Sequence, residues 1–233
     1  MGVIPQTNTR QVITNNHGGI FNRSYEYKTT NSGRSQKFQK GTNHAVLGGI
    51  LNDNEYATYA RQGKLFKHND IKFSDWLPEI YRVLKDTTHC YIYISARNLK
   101  ELQTEAEKVG FKFQQLIVWK KNNVTPNKFY LNNYELILML RKGKAKYINN
   151  MGTKNVIEIE NIKGKTHPTE KPVELNQILI KNSSSENDTI LDLFMGTGSC
   201  GVACKKLNRN FIGYEIDEKY FNIAKERIKN TEV

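Results

Sequence analysis

The chain has 233 residues, 38% of them hydrophobic and 25% charged, a balance that fits one compact domain and excludes disordered and collagen-like classes. Thirty-five Lys and Arg against 23 Asp and Glu leave a formal charge of +12, which favours a polyanionic partner, nucleic acid first. No apolar run approaches the roughly 20 residues of a membrane span, and MGVIPQTNTR has no charged region leading into an apolar stretch, so a soluble, cytoplasmic protein is expected.

The first part of the chain carries little periodicity. From Gly18 to Asn69 it is polar and rich in Asn, Gly, Ser and Lys, with only short apolar pieces such as AVLGGIL at 45–51, and it reads as long loops with a helix or two. Order begins at FSDWLPEIYRVL, where Trp76, Leu77, Ile80, Val83 and Leu84 share one helical face, entered through Ser74 or Asp75 as N-cap. HCYIYIS at 89–95 alternates as a strand does, and LKELQTEAEKVG at 99–110 is a helix closed by Gly110. FQQLIVWKK at 113–121 and YELILMLRK at 134–142 read as buried strands. The basic, turn-rich stretch that follows passes through a short strand, VIEIE, into NIKGKTHPTEKP, another basic surface turn.

The last segment is the most regular. VELNQILIKNSS at 173–184 is an amphipathic helix, TILDLFM at 189–195 a buried strand, SCGVACKKLN a helix, NFIGYEI a strand and EKYFNIAKERIKN a helix. Strands alternating with helices argue for an α/β fold with a mostly parallel sheet covered on both faces. The three cysteines, Cys90, Cys200 and Cys204, are odd in number and lack Cys-x-x-Cys spacing, so neither a disulfide framework nor a metal site is expected.

The strand TILDLFM runs straight into Gly196-Thr-Gly198-Ser-Cys-Gly201, and the next strand ends in Glu215, roughly 20 residues beyond the first glycine. Glycines let a turn pass close to a ligand, a helix N-terminus favours negative charge, and a carboxylate can accept two hydrogen bonds from a ribose diol. The expected ligand carries an adenosine-like ribose. In an NAD enzyme this unit usually opens the domain, whereas here little chain follows Glu215, so the rest of the sheet must come from upstream and the order is permuted.

At this point the residues carry a resemblance. DLFMGTGSCGVACKKLNRNFIGYEIDEKYFNIAKERI is similar to the S-adenosylmethionine-binding motif of amino-methylating DNA methyltransferases, and HPTEKPVEL resembles the motif just before it in the β-ordered group of that family. DWLPEIYRVLKDTTHCYIYIS and GFKFQQLIVWKKNNVTPNKFYLNNYELILMLRKGK resemble the family's catalytic-half helix, strands and base-pocket segments, so the likeness covers roughly residues 70–233. It implies a single domain over 1–233 with a Rossmann-like fold of permuted motif order. It also implies Asp192, Phe194, Gly196 and Gly198 around the methionine of S-adenosylmethionine, Glu215 on its ribose, and Thr169 and Lys171 closing the methionine side. His167 is given no catalytic role. The implied activity is site-specific methyl transfer to adenine N6 in double-stranded DNA, as in phage-type members of the family.

The family's catalytic tetrad, Asp-Pro-Pro-Tyr or Asn-Pro-Pro-Tyr, is missing from the sequence. In that tetrad a side-chain oxygen and a backbone carbonyl accept the hydrogens of the exocyclic amine while an aromatic ring stacks on the extruded base. Two stretches compete for the position. Ser24-Tyr25-Glu26-Tyr27 keeps the final aromatic and is the preferred alignment, with Ser24 and Tyr27 as catalytic candidates; Asn15-Asn16-His17-Gly18 follows the strand-like QVIT and keeps an amide in first place. Candidate DNA-contact elements are the polar insertion at 28–70 and the basic segment at 141–166, with Lys142, Lys144 and Lys146 leading and Lys154, Lys163 and Lys165 after them.

Overall fold

A computed structural model of the chain describes residues 72–125, 130–167 and 169–232, together with the backbone of three strands at 10–14, 24–27 and 36–38. The early strands are β1 (Arg10–Thr14), β2 (Ser24–Tyr27) and β3 (Gln36–Phe38). A 3-10 turn at Phe73–Asp75 leads into α1 (Leu77–Val83), followed by β4 (His89–Ile94), α2 (Leu99–Val109), β5 (Lys112–Thr125), β6 (Asn132–Arg141) and β7 (Val156–Glu158). The last part is α3 (Val173–Ser183), β8 (Thr189–Asp192), α4 (Ser199–Lys206), β9 (Asn210–Tyr214) and α5 (Glu218–Lys229). The first helix therefore begins after the expected N-caps Ser74 and Asp75, because Pro78 sits in its first turn, where the missing N–H costs nothing.

The described strands form one sheet in the order β3-β2-β9-β8-β1-β4-β6-β5-β7. Among them only β2 and β6 run against the rest, and they turn half of the neighbouring pairs antiparallel. The expectation of loops and helices over 18–69 is corrected at two places, since β2 and β3 are strands that extend the sheet beyond β9. The AVLGGIL piece and most of the 28–70 insertion lie outside the described residues.

Side-chain alternation builds two cores. Tyr91, Tyr93, Ile137, Met139 and Ile190 pack on one face against Leu179, Ala203 and Phe221 of α3, α4 and α5. Cys90, Ile92, Ile94, Leu138 and Leu140 pack on the other against Leu77, Ile80, Leu102 and Ala106 of α1 and α2. Every residue of β4 is buried, as the covered faces of a central strand require. Each fully buried Leu or Ile contributes about 1.5–3 kcal/mol of transfer free energy. β5 departs from the expectation of a buried strand: Lys112 to Gln115 are exposed, Ile117 and Trp119 are buried, and Leu116 and Val118 are half-buried against the other core. Its outer neighbour β7 has three residues and covers little of it.

Candidate functional site

The carboxyl ends of β1, β4, β8 and β9 lie along one edge of the sheet. In α/β sheets ligands bind in the crevice outside the carboxyl ends of the strands. Asp192 ends β8, and its Oδ1 accepts the N–H of Phe194 at 3.0 Å. The chain then turns through Gly196 at φ +52° and Gly198 at φ +80° into α4. A Cβ at Gly196 would meet nothing within 4 Å, whereas one at Gly198 would lie 2.9 Å from the Ala224 Cβ. The first glycine thus leaves open space for a ligand, and the second seats the turn on α5.

Glu215, just past β9, braces the same turn. Its Oε2 accepts from the Gly196 N–H and its Oε1 from the Asp217 N–H, both at 2.9 Å. Burial pushes the Asp192 and Glu215 carboxyls up to about 7 each, against the opposing pull of the backbone N–H groups they accept.

The HPTEKP segment faces this turn and is fastened to it. The Glu170 carboxylate accepts from the Thr166 N–H at 3.2 Å and pairs with the Arg227 guanidinium of α5. The same guanidinium nitrogen lies 3.3 Å from the Thr197 Oγ1 and 3.4 Å from the Ser199 Oγ, tying both motifs together. Lys171 donates to the Glu135 carboxylate of β6 at 2.6 Å and stands 5.3 Å over the Tyr93 ring. Lys121 of β5 pairs with the other Glu135 oxygen. Burial alone would raise the Glu135 carboxyl, but Lys171 and Lys121 outweigh it and hold it down at about 2.

His167 is 3% exposed, unlike a residue of a surface turn. Its Nδ1 accepts from the Thr169 N–H at 3.2 Å, and its ring meets Tyr220 edge-on at 4.5 Å. Burial, with the positive charges of Lys171 and Lys165, lowers its pKa to about 3, so the imidazole is neutral.

Of the residues singled out in the sequence, Asp192, Phe194, Gly196, Thr169 and Lys171 line one cleft, together with His167 and Asn176. Gly198 and Glu215 support its wall. Ser24 and Tyr27 are placed differently from one another. Ser24 pairs with Tyr214 at the carboxyl edge, but Tyr27 pairs with Phe211, toward the amino edge. That separation is about 10 Å along the strand. By contrast β1, between β8 and β4, reaches its last residue, Thr14, at the carboxyl edge. Asn15-Asn16-His17-Gly18 lies outside the described residues.

The basic candidates fall on different edges of the sheet. Arg141 pairs with His89, the first residue of β4, so the segment leaving β6 starts at the amino edge, remote from the cleft. Lys142 is not a free surface cation: its Nζ donates to the Tyr81 carbonyl at 2.9 Å and the Leu84 carbonyl at 2.8 Å, capping α1. Lys144 and Lys146 are exposed on that amino side. Lys163 and Lys165 follow the carboxyl end of β7 and lie on the cleft side. A cavity of about 280 Å³ lined by Tyr91, Gln115, Met139, Lys146 and Tyr147 has no carboxylate or glycine turn among its described lining residues.

Glu135, Arg227 and Asn176 were not singled out in the sequence. Asn176 accepts from the buried Tyr93 hydroxyl at 3.1 Å. The one available signal was a carboxylate inside the apolar run YELILML; the partners of Glu135 and Arg227 are distant in sequence and meet only in the fold.

A family model described as DNA methylase, N6_N4_Mtase, matches residues 61–226. The Type II methyltransferase M.HpaI of Haemophilus parainfluenzae is 29% identical over 217 residues, covering 82% of this chain and 65% of that protein. The Type II methyltransferase M2.DpnII of Streptococcus pneumoniae is 32% identical over 175 residues, covering 66% of this chain and 65% of that protein. The chain thus spans slightly under two thirds of the length of these relatives. The crystal structure of an M1.HpyAVI-SAM complex superposes with a TM-score of 0.63 at 25% identity, over 94% of this chain and 88% of that one. The cytosine-N4-specific PvuII DNA methyltransferase, 16% identical with a TM-score of 0.59, shares the fold.

Proposed function

Because the chain belongs to the N6/N4 DNA methylase family, we propose that it transfers a methyl group from S-adenosylmethionine to adenine N6 in double-stranded DNA. The observation that carries this reading is the joining of the glycine turn to the HPTEKP segment through Arg227 and Glu170 at the carboxyl edge of the sheet. The cofactor supplies an electrophilic methyl on a sulfonium. Asp192 offers a carboxylate to its ammonium group, Glu215 one to its ribose, and the open face of Gly196 admits it without a side chain in the way. Thr169 and Lys171 close the methionine side. An extruded base enters from the carboxyl edge, and Lys163 and Lys165, on that side, meet the phosphates flanking it.

The choice of adenine N6 over cytosine N4 rests on the resemblance to phage-type adenine methyltransferases. For the amine-accepting group, the register favours the segment that follows β1 over Tyr27, since β1 ends at the carboxyl edge next to β8 and Tyr27 is set toward the amino edge. Ser24, at the carboxyl edge but beyond β9, is the weaker second candidate.

The test is incorporation of labelled methyl from S-adenosylmethionine into methylation-free genomic DNA, followed by mass spectrometry of the nucleosides. N6-methyladenine is expected, and N4-methylcytosine would change the base. No product from folded protein would favour a second reading, a DNA-binding relative without turnover, which the absence of an Asp-Pro-Pro-Tyr or Asn-Pro-Pro-Tyr tetrad supports.

A further inference from the structure

The paired ends of β5 and β6 overhang the edge where the cleft opens. Leu136 of β6 pairs with Ile94, the last residue of β4, and β6 extends beyond that point to Asn132, which pairs with Thr125 of β5. The residues Asn132 to Glu135 thus carry the pair about 14 Å past the end of β4. Val124, Tyr130, Leu131 and Tyr134, on or beside this overhang, are four of the eight exposed large hydrophobic side chains among the described residues, and Tyr130 is 90% exposed. Single apolar side chains on a surface are ordinary, but a cluster on a protruding element marks a contact.

The root of the overhang is stiff and positively charged. Glu135 is clamped between Lys121 of β5 and Lys171. The segment after β7 is fastened alongside: the Trp119 Nε1–H donates to the Ile159 carbonyl at 2.9 Å, and Asn161 donates its backbone N–H to the Asn122 Oδ1 and its side-chain N–H to the Asn123 Oδ1, both at 3.0 Å. That segment carries Lys163 and Lys165. From Lys112 to Tyr134 the sequence has no Asp or Glu, so no carboxylate of this stretch opposes a polyanion. Only β4 separates β6 from β1, which sets the overhang about 10 Å to the side of the segment that follows β1. Such an offset lets one part of the edge hold an extruded base while another meets the stack that the base has left.

We propose that this overhang is a DNA wedge: the Tyr130 ring, backed by Leu131, enters the duplex beside the target base, stacks on the bases that extrusion leaves without a neighbour, and holds the gap open. The assignment rests on the methyltransferase reading above and adds to it the residue that keeps the base from returning. Duplex DNA is the occupant because an aromatic ring offers unstacked bases a new stacking face, and the lysines at the root suit the flanking phosphates.

Single-turnover methyl transfer from S-adenosylmethionine to methylation-free genomic DNA, at saturating DNA, tests this. Tyr130→Ala should slow transfer to native DNA by about tenfold, the scale of one lost base–aromatic stack, and Tyr130→Phe, which keeps the ring, should retain most of the rate. On the same DNA after strand separation there is no duplex stack to hold open, and Tyr130→Ala should come within about twofold of the wild type. Cofactor affinity and melting temperature should be unchanged in both variants, because the side chain is exposed. An unchanged rate for Tyr130→Ala on native DNA would overturn the inference. A loss of equal size on strand-separated DNA would also overturn it, by marking a contact with phosphates or with the extruded base itself, and so would weaker DNA affinity with an unchanged rate at saturation. No transfer by the wild type to either DNA would remove the methyltransferase reading and the wedge with it, a result distinct from an active wild type that Tyr130→Ala leaves intact.

Discussion

Asp192 and Glu215 end neighbouring strands with carboxyl groups buried deeply enough to titrate at about 7. In the unfolded chain such groups ionise near 4. Their folded values are raised, so the stability they contribute is complete below that range and is lost as pH rises through 7. The cofactor reverses the preference, because an ammonium or a ribose diol binds the ionised forms. Affinity for S-adenosylmethionine should therefore strengthen from pH 6 to pH 8, with proton release visible as a buffer-dependent heat; a flat profile would remove the carboxylates from the contact. Glu215→Ala should weaken cofactor binding by about 1–3 kcal/mol, read by calorimetry. For the catalytic position, Asn15→Ala is expected to lower methyl transfer by about 10²-fold with little change in cofactor affinity, the scale of a lost orienting contact. Tyr27→Ala should change turnover by only a few-fold, and the opposite ranking would restore the Ser24-Tyr27 alignment.

At the scale of elements, the glycine turn, α4 and α5 act as one unit. Gly198 combines a positive φ with a 2.9 Å approach to Ala224, so Gly198→Ala should cost about 1–3 kcal/mol in chemical denaturation and loosen the cofactor cleft together with the fold. Lys142 belongs to this scale too. Its ammonium closes the last turn of α1, so Lys142→Met should lower the melting temperature and leave the salt dependence of DNA binding unchanged. Most elements from residue 73 onward were legible in the sequence because their apolar periods are long and their ends are marked by residues such as Gly110, which closes α2, and Asp217, which caps α5. β2 and β3 were not, since four- and three-residue strands in a polar stretch carry no period and owe their state to pairing, β2 with β9 and β3 with β2. The glycine turn was readable as a local motif. The Glu135 and Arg227 pairings were not, because each links elements from separate parts of the chain.

The whole molecule carries a formal charge of +12, and among the described residues the sheet sets the basic segments at 142–146 and 163–165 toward opposite edges. The sequence reading ranked Lys142, Lys144 and Lys146 first, and the strand before them ends on the amino edge. The variant carrying Lys163→Gln and Lys165→Gln should reduce the slope of log affinity against log salt by about 1–2, as phosphate contacts do. Lys144→Gln with Lys146→Gln should leave it nearly unchanged. An equal effect of both pairs would mean that DNA wraps both edges.

The position of β1 has a consequence for how the protein is made. Val12 is flanked by Cys90 on one side and Leu191 on the other, so an early strand waits for a late one before the middle of the sheet can close. On the ribosome β1 must remain without its β8 neighbour until all of the chain between them has been made. Such a long-range closure is slow and leaves strand edges exposed in the meantime. The glycine turn follows β8 directly, so the cleft it lines forms only once that closure has become possible.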